Sequence, residues 1–376
     1  MTTDIENKLT VPFVNFQKRY ALQRDEILKA VDDVFSSGTY ILGNHVDELE
    51  KALSIYLNCP YVLTLANGTD AIILALKILN IGVGDEVIIP VNSFVASAGA
   101  VAAVGATPIF CDVCDDLNID VNQIAKHITA KTKAILPVHL TGRSADMKAI
   151  MRIANENNLF VIEDAAQSIG ATFDGKQTGT IGDFGCFSLH PLKNLHAYGD
   201  AGIITTNNNE HYEQLKLLRN HGLKDRDTCE TWGLNSRLDS VQAKIVLLGL
   251  THLNKWNACR RKNALRYQNS LKNYVKVSAD FDNVFSVYHN YVILTDRRDA
   301  LADYLKENGI DTRVHYPIPL HLQPAAKNLG YKIGDFPVAE RLMMQMLSLP
   351  IYPELTDNHV DYVIAKIKEF FACCRS

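Results

Sequence analysis

Short apolar runs alternate with amphipathic stretches over residues 61–205, and this alternation constrains the fold more than any other feature. The amphipathic stretches with helical periodicity include residues 70–79, 94–104 and 147–157. Strands that alternate with helices predict a mostly parallel sheet with helices on both faces, which is an α/β domain. The apolar runs that we predict as strands are residues 61–66, 86–90, 107–111, 134–138, 159–162, 186–189 and 202–205.

The pattern changes beyond residue 234, where a helix-prone segment without proline covers residues 237–274 and predicts a linker helix. At 376 residues the chain exceeds the size at which one hydrophobic core usually keeps growing. We therefore predict a large domain over residues 1–250, with an N-terminal segment able to pack on the small domain, and a smaller α+β domain over residues 251–376. Within the second domain we predict strands at 284–294 and 312–316 and helices at 299–308 and 357–371.

The charge balance argues against a nucleic-acid partner. Lys and Arg number 38 against 42 Asp and Glu, and no run of basic residues forms a local patch. The longest apolar runs, such as residues 99–104 and 245–250, fall short of the roughly 20 residues that span a bilayer. Residues 1–9 are polar and acidic, without the basic and apolar regions of a signal peptide. We therefore expect a cytoplasmic protein.

Eight cysteines are scattered along the chain, which predicts reduced thiols instead of a disulfide framework. Cys111 and Cys114 form a C-x-x-C pair, but no second pair stands at the spacing of a zinc ribbon or finger. We therefore favour small apolar residues at a strand end over a metal or redox site, and we expect no metal cofactor.

A candidate phosphate site begins where the first predicted strand ends in Asn67-Gly68-Thr69. A helix that starts there would present free N–H groups and a partial positive charge, and Gly68 would let an anion approach the backbone. An ordinary turn with Thr69 as the helix cap explains the same residues equally well. The glycine-rich segment 82–87 resembles a dinucleotide fingerprint only superficially, because a strand follows it instead of a helix.

Two further signals stand at strand ends. The run 159–162 leads into Glu163 and Asp164, at the edge where open α/β sheets bind ligands, and one carboxylate could face a protonated ring nitrogen there. The run 186–189 leads into a loop with Lys193. Taken alone, each signal has an ordinary explanation: Glu163 and Asp164 would be a solvated acidic pair, and Lys193 a solvated lysine. A phosphate cradle, a carboxylate and a lysine together indicate one cofactor site.

These residues and further motifs, spread over nearly the whole chain, resemble the sugar aminotransferases of the DegT/DnrJ/StrS family. The family commonly has Gly where His196 and Ala201 stand, and often an aromatic residue where His190 stands. These departures flank Lys193 without replacing it, so they bear on which substrate is bound and not on the cofactor. The motifs that carry the resemblance are residues 38–43, 67–71, 82–90, 163–168, 191–195, 199–202, 233–238 and 315–317.

The resemblance implies a fold-type I aminotransferase that uses pyridoxal 5′-phosphate (PLP). It implies that Lys193 holds the cofactor as a Schiff base and that Asp164 bonds the pyridine nitrogen. Asn235 is similar to the family's residue that reaches the phosphate in the partner subunit's site, which implies a homodimer. The other implied cofactor positions are Gly68, Thr69 and Ser188 at the phosphate, Phe94 against the ring and Gln167 beside the phenolic oxygen.

The implied reaction is a transamination of a nucleotide-linked keto-deoxysugar, with dTDP, UDP or GDP as the nucleotide and L-glutamate as the amino donor. The proline-rich segment 315–324 looks more like that of the 3-aminating members, which favours C3 slightly over C4. Another PLP reaction on the same scaffold, such as dehydration, is an alternative, although the dehydratases carry histidine where Lys193 stands. A non-catalytic PLP-binding regulator is a further alternative.

Four residues are candidates for substrate binding. Arg219 opens a charged segment over residues 219–226 that could meet the diphosphate, and a solvated loop explains it equally well. His315, Tyr316 and His321 lie in the proline-rich loop and could border the sugar, although structural roles suit them as well.

Overall fold

The computed structural model describes residues 9–277 and 280–373. Its strands are β1 (Tyr61–Leu65), β2 (Glu86–Pro90), β3 (Thr107–Cys111), β4 (Thr132–Ile135), β5 (Phe160–Asp164), β6 (Thr172–Phe173), β7 (Lys176–Gln177), β8 (Phe184–Ser188), β9 (Gly202–Thr206), β10 (Lys276–Val277), β11 (Val284–Phe285), β12 (Tyr291–Leu294) and β13 (Met346–Leu349). Its helices are α1 (Phe16–Ser37), α2 (Asn44–Leu57), α3 (Gly68–Ile78), α4 (Val95–Ala103), α5 (Val121–Ile124), α6 (Met147–Asn157), α7 (Asn209–Leu218), α8 (Ser240–Leu271), α9 (Arg298–Glu307), α10 (Pro337–Gln345) and α11 (Asp357–Ala372).

The central sheet positions the site. Within the described residues it has seven strands in the order β1-β9-β8-β5-β4-β2-β3. Neighbouring strands from β8 to β3 are parallel, whereas β9 runs antiparallel to both β8 and β1. Strands β1, β5 and β8 consequently end at the same edge of the sheet. Side chains that follow these three strands are brought together there, at the edge where open α/β sheets bind ligands.

Helices cover both faces of this sheet. Helix α3 buries Leu74 in the cluster that also contains Ile162 of β5. On the opposite face, Ile150 and Ile153 of α6 pack in a second cluster with Val161. The adjacent strand residues Val161 and Ile162 therefore pack in different cores, because side chains along a strand alternate between the two faces of the sheet. Burial on both faces explains why the strands are nearly continuous apolar runs.

A smaller antiparallel sheet, β10-β12-β13, builds a second core in the C-terminal part of the described chain. Tyr267 of α8 is buried in this core together with Val11. Val246, also in α8, packs under the large sheet. The N–H of Val11 donates to the carbonyl oxygen of Gly309 at 2.8 Å, so the N-terminal segment contacts the turn that follows α9. A domain boundary at residue 250 would fall inside α8, and we keep the two-domain division as a proposal.

Two predicted C-terminal strands differ from the structure. The run 284–294 splits into β11 and β12 at Tyr288, whose φ is 47°. Residues 312–316 do not form a strand, and Arg313 makes an isolated bridge to Ser348 of β13 instead. Pro317 and Pro319 follow directly and have no N–H to donate to a ladder. Strand β12 lies between β10 and β13, and the sequence analysis identified neither of these two strands.

The cysteines of the described chain are free thiols. Burial raises the pKa of both Cys111 and Cys114 to about 12, so they stay protonated at neutral pH and are poor nucleophiles. No group of three His, Cys, Asp or Glu among the described residues is placed to hold a metal ion. Cys374, and residues 1–8 on which the signal-peptide prediction rests, lie outside the described residues. No described helix is long and apolar enough to cross a membrane.

Candidate active site

A cavity of about 310 Å³ lies at the edge where β1, β5 and β8 end. Side chains from the predicted cofactor set line it together with a loop of the C-terminal part. Of the residues predicted from the sequence to bind the cofactor or the substrate, those on its wall are Gly68, Thr69, Phe94, Asp164, Gln167, Ser188, Lys193, His315 and Tyr316.

The start of helix α3 forms one end of the cavity. Asn67, and not Thr69, is the helix cap, because its Oδ1 accepts the N–H of Asp70 at 2.8 Å. The structure describes no acceptor for the backbone N–H groups of Gly68 and Thr69. A Cβ on Gly68 would lie 3.0 Å from Cβ of Ser188, so only glycine lets the helix approach β8 this closely. The helix start therefore offers free N–H donors to an anion.

The carboxylate at the cavity is that of Asp164. It is 7% exposed, and its Oδ2 accepts a hydrogen bond from the Ser97 hydroxyl at 2.8 Å. Its Oδ1 accepts the N–H of Ala166 at 3.1 Å. The Ser97 hydroxyl is in turn 2.7 Å from the Ser93 hydroxyl, in the segment that opens α4. These two donors, the Ser97 hydroxyl and the N–H of Ala166, fix the orientation of the Asp164 carboxylate.

The neighbouring carboxylate, Glu163, serves the opposite side of the strand. It is fully buried and accepts the backbone N–H groups of Gly179, Ile181 and Gly182 at 2.7–2.8 Å. Its second oxygen is also 2.8 Å from Nε2 of His139. Because successive side chains of a strand point to opposite faces, only Asp164 can reach the cavity. Glu163 therefore holds the turn at residues 179–182.

Lys193 lies in the loop that follows β8, held by a hydrogen bond from its N–H to the carbonyl oxygen of His190 at 2.8 Å. Its Nζ has no hydrogen-bond or ion-pair partner among the described residues. Burial lowers the pKa of Lys193 from 10.5 to about 8, and the negative charge of Asp164 opposes this decrease. The amine therefore loses its proton more readily than an exposed lysine does, and a minor fraction of it is already neutral and nucleophilic at neutral pH.

Buried contacts on both sides fix the lysine loop. Nη1 of Arg19 in α1 donates to the carbonyl oxygen of Pro191 at 3.1 Å. On the other side, Nδ2 of Asn194 donates to Oδ1 of Asn257 at 2.8 Å and to the carbonyl oxygen of Val287 at 3.1 Å. The loop is thereby tied to the N-terminal helix and to α8, so the position of Lys193 depends on distant parts of the chain.

Gln167 and Tyr316 connect the large sheet to the proline-rich loop. Oε1 of Gln167 accepts the N–H of Thr141 at 2.7 Å, and its Nε2 donates to the Tyr316 hydroxyl at 3.3 Å. The Tyr316 ring lies 5.7 Å from the ring of Phe94, centroid to centroid. Burial raises the pKa of Tyr316, so its hydroxyl stays neutral. Phe94 is 54% exposed at the mouth of the cavity.

Two histidines near Lys193 are held in the neutral form. Burial lowers the pKa of His315 to about 4, and the Lys193 ammonium adds to this decrease. Nδ1 of His315 is 2.9 Å from the Ser348 hydroxyl. Burial also lowers the pKa of His289 well below its usual value, with Lys193 as the second cause. Neither histidine therefore adds a positive charge at neutral pH.

Three residues named from the sequence lie away from this cavity. Arg219 is buried, and its Nη1 is 2.5 Å from Oε1 of Glu50. Nε2 of His321 is also buried and lies 3.0 Å from Oε1 of Glu340. Asn235 is exposed outside the cavity. This geometry does not favour a substrate role for Arg219 or His321 within one chain, because each already has a partner.

The structure also adds residues that the sequence analysis did not assign to the site. Ser97 orients Asp164, Asn67 caps α3, and His289 and Asp200 line the cavity. Ser93 and Ser97 stand four residues apart, but Ser93 precedes α4, so helical spacing alone does not bring their hydroxyls together. His289 is distant from Lys193 in the sequence, and no sequence motif connects the two residues.

A solved structure has the same fold. S. venezuelae DesV, in complex with a ketimine intermediate, superposes with a TM-score of 0.94 at 38% identity, covering 96% of this chain and 98% of that chain. The predicted fold class, an α/β fold-type I aminotransferase with a smaller α+β part, is confirmed by this similarity.

Curated relatives match over nearly their whole length. One, from Geobacillus stearothermophilus, is named a pleiotropic regulatory protein and is 43% identical over 96% of this chain and 99% of its own length. Another, the dTDP-3-amino-3,6-dideoxy-alpha-D-galactopyranose transaminase of Aneurinibacillus thermoaerophilus, is 40% identical over 96% of this chain and 99% of its own length. The sequence profile of the DegT/DnrJ/EryC1/StrS aminotransferase family matches residues 22–368. The chain therefore belongs to this family of aminotransferases.

Proposed function

We propose that the protein transfers the amino group of L-glutamate to a nucleotide-diphosphate-linked keto-deoxysugar, with PLP as its cofactor and C3 as the favoured position. The observation that carries the proposal is the unpaired Nζ of Lys193, placed with Asp164 in one cavity that ends at an anion-binding helix start. Family membership supports the reaction class, and the transaminase from A. thermoaerophilus supports a nucleotide-linked sugar as substrate.

The residues present suit PLP. The free N–H groups of Gly68 and Thr69 and the Ser188 hydroxyl would hold its phosphate, and the missing Cβ of Gly68 lets the helix start lie beside Ser188. Asp164 would face the ring nitrogen, Phe94 the ring, and Lys193 the aldehyde carbon. PLP supplies an electron sink that stabilises negative charge at the α-carbon of a bound amino acid.

Lys193 is the group that moves protons. Its Nζ accepts the proton that leaves the α-carbon of the amino donor, and in the second half of the cycle it delivers a proton to the former keto carbon of the sugar. A pKa of about 8 suits both steps, because the amine is neither fully protonated nor a strong base near neutral pH. Because His289 and His315 are neutral, neither adds a positive charge that would lower the pKa of Lys193 further.

The negative charge of Asp164 would favour the protonated form of the ring nitrogen of bound PLP. Ser97 and the N–H of Ala166 hold its carboxylate in place without neutralising it. His315 and Tyr316 border the cavity from the proline-rich loop, where the keto-sugar would enter. Because this loop also resembles that of the 3-aminating members, it supports C3 over C4.

A homodimer would complete the site. Asn235 is exposed and lies outside the cavity of its own chain, which suits a residue that acts in the partner subunit. Trp232, three residues earlier, is 88% exposed. A large exposed aromatic side chain is typical of a surface that a partner covers.

The test uses the PLP-loaded enzyme, L-[¹⁵N]glutamate and a panel of dTDP-, UDP- and GDP-linked 3-keto and 4-keto deoxysugars. We expect a ¹⁵N-labelled amino sugar by mass spectrometry with a 3-keto substrate. Lys193→Ala should lower the rate by at least about 100-fold, whereas Lys148→Ala, an exposed lysine of α6, should not. An unlabelled product that has lost water would instead indicate a dehydratase.

A regulatory role is the second candidate, because the G. stearothermophilus relative is named a regulatory protein. Its match spans 99% of that relative, so the relative has no large additional domain. If PLP binds but no keto-sugar of the panel is aminated, the regulatory function is favoured over the transaminase.

A further inference from the structure

A second cavity, of about 250 Å³, lies between the segment after β3 and the small sheet. Leu117, Val292 and Leu294 are apolar members of its wall, and Arg143 also lines it. It shares no lining residue with the candidate active site. At this size it sits below the usual range of drug-sized ligand pockets, so it suits a small ligand.

Arg143 is a buried cation without a counter-ion. The residue is 4% exposed, and its Nη2 is buried without a hydrogen-bond partner. No described residue forms a hydrogen bond or an ion pair with its side chain, whose one contact of note is the Phe281 ring, 5.2 Å from Cζ. A buried charge is costly unless it is paired. An anion that accepts hydrogen bonds from the guanidinium would offset this cost.

The nearby carboxylates are committed elsewhere. Asp115 is bonded by Lys276 at 2.6 Å and by Arg341 at 2.5 Å. Oδ2 of Asp280 pairs with Arg261 at 2.8 Å, and its Oδ1 accepts the Tyr288 hydroxyl.

Asp116 lines the same cavity but is not bonded to Arg143; its Oδ1 accepts the N–H of Asn118 at 3.1 Å. The negative charge of Asp116 weighs against a dianion such as phosphate. One planar guanidinium in a cavity with apolar lining residues matches a single carboxylate with an apolar substituent, because guanidinium and carboxylate pair through two parallel hydrogen bonds.

We propose that this cavity binds a small organic monocarboxylate, with the carboxylate on Arg143 and the apolar part against Leu117, Val292 and Leu294. The inference does not rest on the proposed function, since the cavity is built from other residues. It concerns a ligand site separate from the transamination site.

Isothermal titration calorimetry on the PLP-loaded enzyme tests the proposal with sodium 3-methylbutanoate and inorganic phosphate as probes. We expect one site per chain for 3-methylbutanoate and weaker or no binding of phosphate. Arg143→Gln should weaken 3-methylbutanoate binding by at least about 10-fold, while Arg152→Gln, an exposed arginine of α6, should leave it unchanged. Lys193→Ala should also leave it unchanged, because that residue belongs to the other cavity.

The proposal fails if the wild-type protein binds no 3-methylbutanoate, if phosphate binds more tightly, or if Arg143→Gln retains full affinity. Should the glutamine variant not fold, a crystal of the wild-type protein soaked in 3-methylbutanoate replaces it. A carboxylate within hydrogen-bond distance of the Arg143 guanidinium would support the site, and a cavity that holds only water would overturn it.

Discussion

Replacing Lys193 by methionine in the cofactor-free protein should raise its stability at neutral pH. The pKa of Lys193 falls from 10.5 to about 8 because the amine is buried without a partner. That difference corresponds to up to about 3 kcal/mol against the ammonium form in the folded state. Methionine has a similar length and no charge to bury, so the variant removes this cost.

The effect has a defined pH dependence. Below pH 8 the folded and unfolded states both carry the proton on Lys193, and the cost is fully present. Between about pH 8 and 10.5 the unfolded state binds the proton and the folded state does not, so the stability of the wild-type protein rises with pH relative to the variant. The advantage of the methionine variant should therefore shrink over this interval.

Urea unfolding of both cofactor-free proteins at pH 7 and pH 9.5 measures the difference in unfolding free energy. Lys148→Met, on the exposed face of α6, is the matched control and should change little at either pH. If Lys193→Met is less stable than the wild-type protein at pH 7, or if the difference does not depend on pH, then Lys193 is not a buried, unpaired amine and the reasoning is refuted.

Three further predictions concern the surroundings of Lys193. Ser97→Ala removes the hydroxyl that donates to Asp164 and should lower kcat by about 5- to 10-fold, which steady-state kinetics would detect; an unchanged kcat would contradict this role. Gly68→Ala places a Cβ 3.0 Å from Cβ of Ser188 and should weaken PLP binding by at least about 10-fold in a fluorescence titration, whereas equal affinity would argue against the cradle. Glu163→Gln sets an amide NH₂ among N–H donors and should reduce stability by about 2–4 kcal/mol in urea unfolding, and a neutral result would show that the buried carboxylate is dispensable.

Much of the sheet edge where β1, β5 and β8 end could be predicted from the sequence, because these strands follow from local periodicity. The strands ending near Asn67, Asp164 and Ser188 are apolar runs followed by turn residues, and parallel pairing brings their ends together. The sequence located the pair Glu163 and Asp164, but which of them faces the cavity depends on the register of β5 against its neighbours. A strand register is set by pairing along the whole sheet, and a short acidic pair does not reveal it.

Interactions between residues that are distant in the chain could not be predicted from the sequence. Arg219 stands in a charged stretch that predicts a loop, yet it pairs with Glu50, which lies 169 positions away. The 312–316 run has strand-forming residues, but one bridge to Ser348 is all that the following prolines permit. In each case the deciding interaction is formed only after the chain has folded.

The absorbance spectrum of the purified protein tests the central claim most directly, recorded with PLP before and after L-glutamate, for the wild-type protein and Lys193→Ala. A visible band that shifts into the near ultraviolet with glutamate, and that is altered in the variant, would establish Lys193 as the residue that binds the cofactor and glutamate as an amino donor. A wild-type protein that is colourless after incubation with PLP and removal of the unbound cofactor would contradict the account.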